Sequence, residues 1–277
     1  APQRHARLAA MSAFSRPLAD CPDAALRPVA GVLTDIDDTL THEGAIEPEA
    51  LSALARLRAA GLPVIAITGR PAGWSEPFAR EWPITAIVAE NGAVALFMRG
   101  GELQIEYAQN EATRTRNAQR LAAAAQRVLR EVPGSTLARD SAGRITDIAI
   151  DHSEFAQLDE AAIARVVALM HDEGMNATVS SIHVNGWFGD HDKWSGARWI
   201  VQRLLGRELE AERARWVYVG DSTNDQLMFE HFPLSVGVAN LMRFAAQLHT
   251  WPAWISAGER GRGFAEVAQR LLAARGA

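Results

Sequence analysis

The residues best suited to chemistry in this 277-residue chain fall in three short runs and one isolated lysine. The runs are Thr34-Asp35-Ile36-Asp37-Asp38-Thr39, Thr68-Gly69-Arg70 and Gly220-Asp221-Ser222-Thr223-Asn224-Asp225; the lysine is Lys193. Each run closes an apolar stretch that reads as a buried strand. In a parallel α/β sheet, ligands bind at the carboxyl ends of the strands. That edge would gather Asp35, Asp37, Asp221 and Asp225, whose carboxylates repel and raise one another's pKa. A divalent cation and one lysine would cancel most of that charge. Oxygen donors with no Cys/His cluster point to Mg²⁺ rather than Zn²⁺. Cation and lysine together suit phosphoryl oxygens, and a free carboxylate can attack phosphorus to give an aspartyl-phosphate. Asp, Ser, Thr and Asn also serve as turn and N-cap residues. That plainer reading is open for Asp38, Ser222 and Thr223 taken singly, but not for the ordered set.

The elements that must position these residues alternate. Strands are predicted over 29–35, 62–68 and 85–89, with helices over 48–60 and from about 71 to 82. This rhythm implies a parallel sheet with right-handed crossovers. Residues 93–98 and 103–107 read as a hairpin turning at Gly100-Gly101. The rhythm then changes to a long Ala/Arg-rich helix over 111–132, two strands (135–139, 144–151), a helix (160–173) and two more strands (177–180, 182–188). From 194 the βα rhythm resumes, with a strand at 216–219, a helix from 223, a strand at 235–238 and a C-terminal helix over 263–274. The expected fold class is α/β, a Rossmann-like parallel-sheet core with an inserted α+β cap domain. The core spans 20–109 and 189–277 and the cap 110–188. Residues 1–19 carry no acid but three arginines (Arg4, Arg7, Arg16). They are read as a disordered tail, a bias shared with transit peptides.

Composition narrows the classes. Apolar residues are 48% and charged residues 22%, which fits a packed globular chain rather than a disordered one. A net charge of −5 argues against a partner rich in phosphates such as nucleic acid. No apolar run approaches the ~18 residues of a membrane span. The one cysteine, Cys21, cannot close an internal disulfide, consistent with a reducing, cytoplasmic setting.

The four motifs, in this order and flanking an insert of this size, resemble the haloacid dehalogenase-like phosphohydrolase superfamily, in its type IIB (Cof-like) capped subgroup. Residues 35–41 are similar to motif one, Thr68-Gly69-Arg70 to motif two, Lys193 to motif three and residues 220–225 to motif four. Glu90-Asn91-Gly92 and residues 261–264 also match the subgroup. The resemblance spans about residues 29–275. It implies that Asp35 is the nucleophile and Asp37 the general acid and then base. The i, i+2 spacing on extended chain can aim both at one centre. It further implies that Thr68 and Lys193 hold phosphoryl oxygens. Mg²⁺ would sit on Asp35, the Asp37 carbonyl and Asp221, with Asp225 a further ligand or an acid that fixes the ligands. Asp38 stands where the family most often has Gly.

The resemblance places specificity in the cap. On an alternating strand His183, Asn185 and Trp187 share one face, suited to a sugar ring; a plain strand face is the alternative. Gly69, Arg70 and Asn91 are further candidates for substrate contact, with an ion pair the alternative for Arg70. Gly189-Asp190-His191-Asp192 reads as a polar hinge. The expectation is a Mg²⁺-dependent phosphomonoesterase acting on a small phosphate ester, such as a sugar phosphate, with neither nucleic acid nor membrane as partner. A phosphomutase is the alternative within this chemistry. A receiver-like phosphoacceptor module is the alternative from another class; it would need its acceptor Asp after the third strand, where this chain has Glu90.

Overall fold

The computed structural model describes residues 15–276. In chain order its longer strands are β1 (Gly31–Thr34), β2 (Val64–Ile67), β3 (Ala86–Ala89), β4 (Val94–Arg99), β5 (Glu102–Tyr107), β6 (Asp147–Asp151), β7 (Asn176–Val179), β8 (His183–Trp187), β9 (Trp216–Gly220) and β10 (Leu234–Gly237). The longer helices are α1 (Pro48–Ala59), α2 (Ala72–Glu81), α3 (Glu111–Glu131), α4 (Glu160–Asp172), α5 (Lys193–Leu205), α6 (Gln226–His231) and α7 (Arg260–Arg275).

The main sheet has the order β10-β9-β1-β2-β3-β4-β5, extended beyond β10 by the two-residue strands Trp254–Ile255 and Arg16–Pro17. Pairing is parallel as far as β3, then antiparallel through β4 and β5. Every residue of β1, β2, β3, β9 and β10 is buried, as expected of strands covered on both faces. Separate apolar clusters fill the two sides, one around Leu54, Val219 and Phe264, the other around Ile65, Ile200 and Tyr218. The β4–β5 turn is Gly100-Gly101, both at positive φ (59° and 84°), which fits the twist of a tight hairpin.

The excursion between β5 and α5 forms its own sheet, β7-β8-β6 followed by the short strand Thr136–Leu137, all antiparallel. Helices α3 and α4 pack on it around Leu121, Val128, Ile150, Val166 and Leu169. Side-chain caps start both helices: Asn110 accepts from the Thr113 amide and Asp159 from the Ala162 amide. The chain leaves and re-enters the core at one neck, where Gln109 Nε2 donates to the Phe188 carbonyl at 2.8 Å.

Two features depart from the sequence reading. Residues 15–19 are not a free tail. Arg16 and Pro17 pair with Trp254 and Ile255, Leu18 is buried, and Ser15 Oγ donates to the Pro252 carbonyl. The remainder of that predicted tail lies outside the described residues. The second is a small flap, in which Thr41–His42 pairs with Ala45–Ile46 across Glu43-Gly44.

Candidate active site

Asp35 follows the last residue of β1, and its amide donates to the Val219 carbonyl of the adjacent strand β9. This pairing brings Asp35 beside Asp221, which follows β9. Lys193 opens α5, whose start is fixed by a capping box: Asp192 accepts from the Ser195 amide and Ser195 Oγ accepts from the Asp192 amide. Helix α5 also crosses the 90–92 turn at close range. A Cβ on Gly92, at φ +106°, would lie 2.0 Å from the Asp192 carbonyl oxygen. A side chain there would push away the helix end that carries Lys193.

Lys193 Nζ donates to Asp35 Oδ1 and Asp225 Oδ1, both at 2.9 Å and all three groups buried. Asp225 is saturated: Oδ1 also accepts from the Tyr218 hydroxyl at 2.5 Å, and Oδ2 accepts from the amides of Asp221 and Ser222. Burial pushes the Asp35 carboxyl up to about 7, with Asp225 and Asp37 adding to the shift and Lys193 opposing it. Burial works against the Lys193 charge, but Asp225 and Asp35 outweigh it and hold the ammonium firmly protonated. Asp221 is raised by burial and by the neighbouring carboxylates.

Asp221 Oδ1 is buried and has no hydrogen-bond partner among the described residues. Oxygens of Asp35, Asp221 and Asp225 lie within 4.8 Å of one another. An unpaired buried carboxylate oxygen among other carboxylates is costly without a counter-charge. The all-oxygen donor set fits a hard divalent cation such as Mg²⁺.

The sequence pattern of haloacid dehalogenase-like hydrolases matches residues 32–118. That stretch holds the first two of the strand-end runs, Asp35–Asp38 and Thr68–Arg70. No curated protein matches the chain. Among solved structures, a protein of Thermoplasma acidophilum superposes with a TM-score of 0.66 at 15% identity, covering 88% of this chain and 98% of that one. The sucrose-phosphatase of Synechocystis, in complex with sucrose and phosphate, gives 0.62 at 15% identity, with 88% and 98% covered. The trehalose-6-phosphate phosphatase C-terminal domain of C. albicans gives 0.62 at 14% identity, with 95% and 99% covered. At these identities the structures share the fold with this chain.

The Thr68-Gly69-Arg70 run ties the core to the inserted module. Thr68 is buried at the end of β2, and its Oγ1 accepts from the Arg70 amide. Arg70 does not lie at the surface. Its Nε donates to both Asp37 oxygens at 3.0 Å and its Nη2 to Asp37 Oδ1 at 2.9 Å. The same guanidinium reaches Asp140 Oδ2 (3.0 Å) and Glu154 Oε1 (2.7 Å) in the insert. Glu154 in turn meets His183 Nε2 at 2.8 Å. Hydrogen bonds from His183 and Arg70 outweigh burial and hold Glu154 down at about 2. A second tie runs through Glu90, which accepts from the Ala72, Ile145 and Thr146 amides and from the Thr146 hydroxyl. Glu90 thus anchors the insert and is not free to act as a phosphoacceptor.

The face predicted for a sugar is covered. His183, Asn185 and Trp187 are 2%, 1% and 3% exposed. His183 binds Glu154, Asn185 Nδ2 donates to the Gly69 carbonyl and to Asp147, and Trp187 Nε1 donates to the His191 carbonyl. Asn91 is buried beside Gly69, its Nδ2 unpaired among the described residues. The open space is a cleft of about 630 Å³. It is bounded by Asp37, Arg70 and the flap on the core side and by Ser153, Phe155, Ser181 and Ile182 of the insert. The sequence reading passed over Tyr218, the flap and this rim. Tyr218 is three residues before Asp221 on an otherwise apolar strand, and a lone phenol there is the one signal that could have marked it.

Proposed function

We propose that this chain is a phosphomonoesterase hydrolysing a small phosphate ester of the sugar-phosphate class. The observation that carries the reading is the Lys193–Asp35 pair beside Asp221. It leaves one nucleophilic carboxylate with a free oxygen in a pocket built to offset anionic charge. Asp35 Oδ1 accepts from Lys193, and Oδ2 has no protein partner among the described residues. Structures that share the fold, the sucrose-phosphatase of Synechocystis among them, support the substrate class.

In this mechanism Asp35 Oδ2 attacks phosphorus and the ester oxygen leaves, taking a proton from Asp37. Water then attacks phosphorus, Asp37 accepts its proton, and the acyl-phosphate bond breaks to return Asp35 and inorganic phosphate. Thr68 and Lys193 hold phosphoryl oxygens, with Lys193 keeping Asp35 anionic against its burial. Both Asp37 oxygens accept from Arg70 in the arrangement described, so proton transfer at Asp37 requires Arg70 to let go of one. Asp225 acts as an anchor, since all its contacts are spent on Lys193, Tyr218 and the motif-four amides. Mg²⁺, held by Asp35, the Asp37 carbonyl and Asp221, would supply charge neutralisation for the transferring group.

The test is phosphate release across a panel of phosphate esters with Mg²⁺, with chelator, and with Asp35→Asn. Release that needs Mg²⁺ and disappears in Asp35→Asn is expected. Full turnover after chelation, or in that variant, overturns the reading.

A further inference from the structure

The rim of the cleft holds a charge arrangement that the phosphoryl chemistry does not use. Asp38 sits in the left-handed region (φ +55°), which Asp tolerates better than most residues. Its Oδ1 accepts from Arg260 Nε at 2.8 Å and its Oδ2 from Arg243 Nη2 at 3.3 Å. Two guanidiniums thus share one carboxylate at the wall of the cleft.

The loop that carries Asp38 has a second, uncharged tether. Asn240 supplies it with a neutral amide: its Nδ2 donates to the Asp38 carbonyl at 2.9 Å and to Asp221 Oδ2, and its Oδ1 accepts from the Arg260 amide. The other acids lining the cleft are matched elsewhere or open to solvent. Asp37 is held by Arg70, Glu154 by Arg70 and His183, and Glu43 is exposed. Arg260 also lies 3.4 Å from the exposed Glu259, and Arg243 lies 3.6 Å from Asp221. Neither arginine is buried: their side chains are 20% and 45% exposed. Arg243 Nη1 and Arg260 Nη2 have no partner among the described residues. Paired guanidiniums with unused planar donors are the usual recognition element for carboxylate and phosphate.

We propose that Arg243 and Arg260 form a subsite for a second anionic group on the substrate, with Asp38 as the internal carboxylate that occupies the pair between turnovers. This rests on the phosphatase reading and narrows its substrate class. The ester would carry a carboxylate or second phosphate within one small-molecule length of the scissile phosphate. Its uncharged body would lie along Ser153 and Phe155.

The experiment compares two sets of probes on wild type, Arg260→Gln and Arg243→Gln. One set carries a second anion (3-phosphoglycerate, glucose 1,6-bisphosphate). The other does not (glycerol 3-phosphate, glucose 6-phosphate). Phosphate release with Mg²⁺ gives the ratio of kcat/KM between the sets, and calorimetry without added Mg²⁺ gives the ratio of affinities. We expect wild type to favour the doubly anionic set by about tenfold or more, and each variant to lose about tenfold of that ratio. Loss with one probe but not the other tells carboxylate from phosphate. Equal ratios in wild type and variants, or a wild-type preference for the singly anionic set, overturn the subsite while leaving the phosphatase reading intact. If no ester releases phosphate, the phosphatase reading falls and the affinity ratios alone decide the subsite.

Discussion

Replacing Tyr218 by phenylalanine removes one hydroxyl and little else. The ring is fully buried, 6.0 Å from Phe229 and 6.1 Å from Phe232, so the apolar packing is kept. What is lost is the 2.5 Å hydrogen bond to Asp225. Asp225 keeps Lys193 and two amide donors, so the change does not strand a buried charge without partners. A hydrogen bond to a charged group is worth about 1.5–3 kcal/mol. For a chain of this size each kcal/mol moves Tm by roughly 2–4 °C. Thermal unfolding followed by circular dichroism should therefore give a Tm lower by roughly 3–12 °C. Lys193 shares Asp225 Oδ1 with the hydroxyl, so kcat should also fall, by about tenfold, with KM changing less. A Tm within about 1 °C of wild type, together with unchanged kcat, would refute the view that Asp225 is an anchor tensioned by Tyr218.

Three further outcomes follow from the geometry. Gly92→Ala should destabilise by about 3 kcal/mol or more, read by urea unfolding, since the new Cβ would collide with the Asp192 carbonyl at a strained φ. Burial lowers His191 to about 4 despite Asp192 and Asp190, so between pH 4 and 6.5 the unfolded chain binds the extra proton. This contribution is present above pH 6.5 and is lost as pH falls through 4; His191→Gln should flatten that part of the stability–pH curve by up to about 3 kcal/mol, and an identical slope in the variant would count against it. Glu90→Ala leaves the Ala72, Ile145 and Thr146 amides without their acceptor. It should cost about 3 kcal/mol and speed limited proteolysis of the insert, a result that unaltered cleavage would contradict.

The strand-end acids were legible because their signal is local: an apolar run, then Asp at i and i+2, or Gly-Asp four residues before a second Asp. The alternation of elements was legible for the same reason. What could not be read depends on which surfaces meet. The alternation correctly put His183, Asn185 and Trp187 on one face of β8, but periodicity does not say what covers a face. Here Glu154, the Gly69 carbonyl and the His191 carbonyl cover it. Arg70 likewise has no local pattern that reveals partners 70 and 84 residues away. The edge pairing of Arg16–Pro17 with Trp254–Ile255 lies at still longer range, and two-residue strands carry no periodicity at all.

The Gln109–Phe188 hydrogen bond at the neck has a consequence for how such a chain can vary. It holds the two ends of the 111–187 module together, beside the separate ties that run through Arg70, Glu90 and Asn185. Residues within it can lengthen, shorten or repack without altering the distance between its ends, and so without moving Lys193 against Asp35. Contacts such as Arg70–Glu154 then become the points at which a change in the module is felt by the core. Because Arg70 holds Asp37 and also reaches Asp140 and Glu154, a change in the cleft roof is felt at Asp37, whereas the placing of Asp35 against Val219 is set within the main sheet.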